Sequence, residues 1–142
     1  MNKKMIIVSA CLAGLNCRYD GNSNSCEKVI EMVKNGTAIP LCPEQLGGLA
    51  TPRIPAEIKD GKVITKNNID VTMHFERGAN ETLKIAKLVN AEVAILKQRS
   101  PSCGVSKIYD GTFSGNIISG MGKTAELLSK HGIKLISEED LK

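Results

Sequence analysis

The fold is decided by the stretch MIIVSAC (residues 5–11), in which a short apolar run leads into a cysteine. A continuous apolar run of this length is typical of a strand that is buried on both faces of a sheet. Two similar runs follow at residues 37–41 and 92–97; Cys42 comes directly after the first, and Cys103 lies in the loop after the second. We therefore predict three buried strands that each lead into a cysteine-bearing segment.

Amphipathic helices are predicted between these strands. Asn24 and Glu27 have the spacing of a capping box and open a helix that Gly36 closes. The remaining predicted elements are helices at 70–89 and 124–130, a hairpin turning at 60–61, a last strand at 133–136, and long loops at 43–55 and 98–120. Strands that alternate with helices indicate an α/β fold with a mostly parallel sheet flanked by helices, in a single domain spanning residues 1–142.

Composition narrows the class of protein. The chain has 142 residues, 42% of them hydrophobic, with no Trp and only two Phe and two Tyr, so the core is expected to be aliphatic. The net charge of +4 is carried without a long basic block, which argues against a dedicated nucleic-acid surface. No apolar run reaches the length of a membrane span. Five cysteines, an odd number, favour metal binding or catalysis over a disulfide framework, and we expect a cytoplasmic protein without a membrane partner.

The C-terminal segment KLISEEDL (residues 134–141) coincides with a common epitope tag. We interpret it as native, because the last predicted strand runs into it in phase. It is expected to carry no function.

Three cysteines follow three of the predicted strands. Cys11, Cys42 and Cys103 should meet at one edge of the sheet, because ligands of open parallel sheets bind outside the carboxyl ends of the strands. Thiolate ligands suit zinc, copper(I) or an iron–sulfur cluster, and the close-spaced CxxC pairs of structural zinc are absent from the sequence. The alternative is that each thiol is a small buried hydrophobe. The convergence of all three favours a metal site.

The other two cysteines have different expected roles. Cys17, six residues after Cys11, could be a fourth ligand, a thiol beside the site or a structural residue. Cys26 shares a predicted helical face with Val29 and Val33, which favours a place in the core.

Several polar residues accompany these cysteines. Glu44 lies two residues after Cys42, where a carboxylate can act as a general acid or base, although a solvated loop charge is the ordinary alternative. Hydroxyls near Cys103 could contact a ligand or only bond the local backbone, and arginines from three loops could bind an anionic group or orient Glu44. These hydroxyl and guanidinium side chains are Ser100, Ser102, Arg18, Arg53 and Arg99.

Four blocks of the sequence together resemble the DUF523 family. They are SACLAGLNCRYDG (residues 9–21), CPEQLGGLATPR (residues 42–53), SPSCG (residues 100–104) and IYDGTFSG (residues 108–115). The likeness covers nearly the whole chain, with the blocks in the same order.

The resemblance implies a fold, a cofactor and a set of residues. Characterised members of the family are thiouracil desulfidases with a Rossmann-like fold and a [4Fe-4S] cluster held by three cysteines, which leaves one iron open. Carried over by motif, the cluster ligands are Cys11, Cys42 and Cys103. The catalytic side chains implied are Glu44 and Ser100, and the substrate-binding or supporting residues are Cys17, Arg18, Arg53 and Ser102.

The expected activity is the non-redox removal of sulfur from a thiolated pyrimidine such as 2-thiouracil, which gives uracil and hydrogen sulfide. Glu44 would activate water, and Ser100 would hydrogen-bond the polarised intermediate. The expected partner is a thiolated base or nucleoside, with thiolated RNA less favoured. The alternative is a cluster-binding sensor or a structural metal-binding domain without catalysis, which ligation by Cys17 would favour.

Overall fold

The computed structural model describes residues 4–141, so both ends of the predicted domain 1–142 lie outside the described residues. In this range the strands, in chain order, are β1 (Ile6–Ser9), β2 (Ala38–Leu41), β3 (Ala56–Lys59), β4 (Lys62–Thr65), β5 (Val93–Leu96), β6 (Lys107–Tyr109), β7 (Ile117–Ser119) and β8 (Lys134–Ser137). The helices are α1 (Glu27–Lys34), α2 (Pro43–Leu46), α3 (Thr72–Leu88) and α4 (Lys123–Lys130).

Four strands form a parallel sheet in the order β2-β1-β5-β8. Val8 of β1 pairs with Pro40 of β2 on one side and with Ile95 of β5 on the other. Pro40 lacks an N–H, and it is tolerated because β2 is an edge strand of this sheet. The predicted Rossmann-like α/β architecture, with a mostly parallel sheet flanked by helices, is confirmed.

The alternation of side chains along β1 divides the core into two layers. Ile7 packs against Leu83 of α3 and Leu128 of α4, whereas Val8 packs in a second cluster with Val29 of α1. Successive side chains of a strand point to opposite faces of the sheet, so α3 and α4 cover one face and α1 covers the other. Phe75 is the one aromatic side chain among the core residues that the structure describes.

The sequence predicted some elements wrongly. The first helix begins at Glu27 with Cys26 at the N-cap position, and the side-chain oxygen of Asn24 accepts a hydrogen bond from Arg18 rather than capping the helix. The predicted loop 43–55 begins with α2, and the predicted loop 98–120 contains the β6–β7 hairpin. Elements of three or four residues are too short to show a hydrophobic period.

The C-terminal segment is an integral part of this fold. β8 pairs with β5, and Glu138 and Glu139 form ion pairs with Lys97 and Arg99 at the end of β5. No helix within residues 4–141 combines the length and the apolar character that a membrane crossing requires.

Candidate functional site

A cavity of about 390 Å³ opens at the carboxyl ends of β1, β2 and β5. Its walls include four of the five cysteines, namely Cys11, Cys17, Cys42 and Cys103. Strand order in the sheet reverses at β1, and ligands of such sheets bind outside the strands at this point. The sheet therefore brings together three cysteine loops that are distant in sequence.

The first loop carries Cys11 and Cys17. The chain leaves β1 through a 3₁₀ turn at Ala10–Ala13, which ends at Gly14 with a φ of 92°. Glycine adopts this left-handed conformation without steric cost, so the chain turns back sharply. The carbonyl of Cys11 accepts the backbone N–H of Asn24 at 2.9 Å, which holds the loop against the segment before α1.

The second loop places Cys42 at the N-cap of α2, with Pro43 as the first helical residue. Two glycines allow the backbone of this short helix to lie in close contact with α3. A Cβ atom on Gly78 would lie 1.9 Å from the Pro43 carbonyl oxygen, and one on Gly47 would lie 2.0 Å from the His74 carbonyl oxygen. Gly78 therefore does not interrupt α3 but allows the backbone that follows Cys42 to approach the helix.

The third loop carries Cys103 and is organised by the hydroxyl of Ser100. Its oxygen accepts the backbone N–H groups of Ser102 at 3.1 Å and Cys103 at 2.9 Å. With both lone pairs engaged, this hydroxyl can only donate a hydrogen bond into the cavity. Ser100 lines the cavity, where its proton is available to a bound molecule.

Gln98 also shapes this loop. The side chain is buried, and its carbonyl oxygen accepts the backbone N–H groups of Val105, Ser106 and Lys107 at 2.8–3.0 Å. Three donors on one acceptor fix the path of the chain around Cys103. Sequence reasoning missed Gln98, because a glutamine after a strand gives no sign of burial.

Hydrogen bonds among the thiols lower the pKa values of some cysteines and raise that of another. Side-chain hydrogen bonding with Cys17 lowers the pKa of Cys11 and lowers that of Cys42 to about 6. The same hydrogen bonds raise the pKa of Cys17, and the bond to Cys11 has a larger effect than the bond to Cys42. Burial raises the pKa of Cys103. The pKa values of Cys11 and Cys42 thus lie below the ordinary value of a thiol, and those of Cys17 and Cys103 lie above it.

Glu44 and Arg53 form an ion pair at the cavity wall. Arg53 Nε lies 3.0 Å from Glu44 Oε1, and the two side chains are 9% and 16% exposed, respectively. Arg53 Nη2 also donates to the Cys17 carbonyl oxygen at 2.9 Å. Burial raises the pKa of Glu44, although the guanidinium opposes this effect. Arg53 therefore holds the carboxylate and the Cys17 loop in one arrangement.

The other predicted residues are two arginines, which lie at the cavity wall, and one serine, which does not. Arg18 and Arg99 line the cavity, and Arg18 pairs with Asp20 at 3.4 Å. Ser102 is not among the lining residues: it is 1% exposed, and its hydroxyl shares a 2.8 Å hydrogen bond with Thr124 of α4. Of the two roles predicted for Ser102, substrate binding or support, this position fits support, because the bond to Thr124 joins the Cys103 loop to α4.

Cys26 lies outside the cavity and packs against the core cluster of Val8 and Val29, as its spacing predicted. Within residues 4–141, no group of three or more His, Cys, Asp or Glu side chains has the spacing of ligands around one metal ion.

Known proteins resemble this chain over nearly its whole length. Uncharacterized protein YbbK of Bacillus subtilis (strain 168) is 47% identical to the chain over 147 aligned positions, which cover 96% of this chain and 97% of that protein. The solved structure of the [4Fe-4S]-dependent thiouracil desulfidase TudS (DUF523Vcz) superposes with a TM-score of 0.93 at 45% identity, over 98% of this chain and 93% of that one. The family model described as 2-thiouracil desulfurase matches residues 6–140, and the chain belongs to the 2-thiouracil desulfurase family.

Proposed function

We propose that this chain is a [4Fe-4S]-dependent desulfidase that removes sulfur from a thiolated pyrimidine such as 2-thiouracil and releases uracil and hydrogen sulfide. The observation that carries the proposal is the convergence of Cys11, Cys42 and Cys103 on one cavity beside the buried carboxylate of Glu44. Membership of the 2-thiouracil desulfurase family supports the same activity.

Cys11, Cys42 and Cys103 would hold the cluster and leave one iron without a protein ligand. All-thiolate donors suit iron–sulfur clusters. Cys17 would lie beside the cluster as a neutral thiol, in a loop whose Cys17 carbonyl oxygen accepts a hydrogen bond from Arg53 Nη2 at 2.9 Å. When bound, the cluster would supply a soft Lewis-acidic iron for the thiocarbonyl sulfur.

The reaction exchanges sulfur for oxygen without net oxidation or reduction. A C–O bond forms from water, the C–S bond breaks, and sulfur leaves as hydrogen sulfide with both protons of the water. Glu44 takes a proton from the attacking water and returns one to the leaving sulfur or to the ring nitrogen. Its place beside Cys42, within the same cavity wall, suits this transfer.

Ser100 and the arginines would support this chemistry. The Ser100 hydroxyl donates to the atom that gains negative charge during attack. Arg53 keeps Glu44 in position, and Arg18 lies at the cavity wall, where it can contact the bound base or nucleoside. Thiolated RNA is a less favoured substrate of this cavity.

We also place the protein in the cytoplasm as one iron–sulfur domain, since its five cysteines are all free.

The test is anaerobic reconstitution, followed by assay of iron, sulfide and 2-thiouracil turnover. The wild-type protein should bind four irons per chain and form uracil. Cys11→Ala, Cys42→Ala and Cys103→Ala should each lose the cluster, whereas the matched control Cys26→Ala should keep it and lose on the order of 1 kcal/mol of stability. Full iron content in Cys103→Ala would refute the ligand set, and a loaded wild-type protein without turnover would refute the activity.

A further inference from the structure

The aromatic residues of this chain are concentrated at the cavity. The sequence contains two Tyr and two Phe, and all except Phe75 line the cavity. These three are Tyr19, Tyr109 and Phe113, which come from two separate segments of the chain. Because the core is built from aliphatic residues, general burial does not explain why the aromatic rings gather here.

The three rings are not equivalent. Tyr19 is 41% exposed, and the guanidinium of Arg18 lies over its ring, 5.6 Å from the centroid. Tyr109 belongs to β6, where its backbone pairs with Ile117 of β7. Phe113 lies in the turn between β6 and β7, is only partly exposed and lines the cavity. Phe113 is thus an aromatic side chain that a turn, rather than a strand, presents to the cavity.

Phe113 has an unusual backbone conformation. Its φ is 57°, in the left-handed region that bulky residues rarely adopt. Such a conformation persists only when surrounding contacts enforce it, and it is concentrated at ligand-binding positions. The turn therefore places this ring at the cavity wall in a strained backbone conformation.

Glu57 of β3 supplies the contacts that enforce the conformation. Its Oε1 atom accepts the backbone N–H groups of Gly111 at 3.0 Å and Phe113 at 3.1 Å. A Cβ atom on Gly111 would lie 2.8 Å from the Cβ of Lys59 and 2.9 Å from the Ile58 carbonyl oxygen, so the turn lies directly on β3. A carboxylate is a strong acceptor for backbone N–H groups, and here it fixes both ends of the short segment that carries the ring.

We propose that Phe113 is a specificity-determining residue that stacks on the flat face of the pyrimidine, and that Glu57 is the positioning residue that holds it there. The inference rests on the proposed desulfidase function and deepens it: the site selects planar aromatic thiocarbonyl compounds over saturated ones. Stacking between an aromatic side chain and a base changes affinity by about 5- to 100-fold. Stacking also tolerates different ring substituents, because each base presents the same π face.

The experiment compares uracil with 5,6-dihydrouracil, which has the same imide edge but lacks the planar π system. Both are titrated calorimetrically into the anaerobically reconstituted protein and tested as inhibitors of 2-thiouracil turnover. The wild-type protein should bind uracil about 10-fold more tightly. Phe113→Leu should bring this ratio close to one, whereas Phe113→Tyr, which has the same backbone cost but keeps the ring, should preserve it.

Glu57 is tested by the same ratio, which a purely structural role would not change. Glu57→Ala should lower it, and Glu57→Gln, which keeps an acceptor oxygen, should restore most of it. Equal binding of the two ligands by a wild-type enzyme that turns over 2-thiouracil would overturn this inference and leave the proposed function intact. An unchanged ratio in Phe113→Leu would also overturn it. A loaded protein without turnover would instead refute the proposed function, and calorimetry would still measure the ratio.

Discussion

The loops that carry Cys42 and Cys103 serve the same cavity but are held by different means. Backbone contact between α2 and α3 fixes the first, since Gly47 and Gly78 each meet a carbonyl oxygen of the facing helix. Side-chain oxygens of Gln98 and Ser100 fix the second by accepting five backbone N–H groups. The Cys42 loop thus depends on the absence of side chains, whereas the Cys103 loop depends on buried acceptors as well.

This difference predicts how each loop responds to substitutions. Backbone atoms in close contact cannot move apart without shifting α2 or α3, so any added atom at the first loop disturbs the whole junction. Hydrogen bonds to side chains are lost separately, so each substitution at the second loop should remove only part of the interactions that hold it. The Cys103 loop also has close approaches, because a Cβ on Gly104 would lie 2.7 Å from the Lys107 carbonyl oxygen, and one on Gly122 would lie 2.4 Å from the Ser102 carbonyl carbon.

The largest expected effect comes from Gly78→Ala. The new methyl group would lie 1.9 Å from the Pro43 carbonyl oxygen, so α2 must move away from α3. We expect a loss of about 3 kcal/mol or more in the free energy of unfolding, together with reduced iron retention at Cys42. Urea denaturation measures the first effect. The matched control is Asn80→Ala, at an exposed position of the same helix, which should be neutral or slightly stabilising. A Gly78→Ala variant as stable as wild type would contradict the backbone contact.

Gln98→Leu should have the next largest effect. The change keeps the volume but removes the acceptor of three backbone N–H groups, which burial prevents from bonding fully to water. We expect a loss of about 2–3 kcal/mol and lower iron content after reconstitution. Gln98→Glu keeps an acceptor oxygen and should lose less. Equal stability of the Leu and Glu variants would show that these bonds do not hold the loop.

Ser100→Ala should have the smallest effect on stability, about 1 kcal/mol, because only two N–H groups lose a partner. Turnover should nevertheless fall, since the variant also loses the proton donor in the cavity, whereas Ser100→Thr should retain much of the activity. The two readouts are thermal denaturation and turnover normalised to iron. A loss of stability without a loss of turnover would restrict Ser100 to shaping the loop.

The sequence predicted the parts of the fold that depend on long hydrophobic patterns. Apolar runs placed β1, β2 and β5, and their order along the chain indicated that Cys11 and Cys42 would meet at one end of the sheet. The same reasoning missed α2 and the β6–β7 hairpin, because their few residues carry no period.

The sequence was least informative about side chains that act through the backbone. Gln98 and Glu57 position loops by accepting N–H groups from residues that are distant or irregularly spaced, and no local pattern records such bonds. For Ser102 the sequence left open substrate binding or support, because its neighbours Ser100 and Cys103 both line the cavity, whereas its own side chain turns toward Thr124. The direction of a side chain in an irregular loop depends on tertiary packing, which the spacing of residues does not reveal.

The substitution Glu44→Gln distinguishes a chain that uses Glu44 to perform a reaction from one that only holds a cluster. Gln keeps the size and much of the hydrogen bonding of Glu, but it cannot accept a proton. Reconstituted Glu44→Gln should contain wild-type iron, while anaerobic 2-thiouracil turnover per iron should fall by roughly 10²- to 10⁴-fold. Turnover near the wild-type rate would contradict the general-base role, and loss of iron would mean that the carboxylate serves the cluster instead.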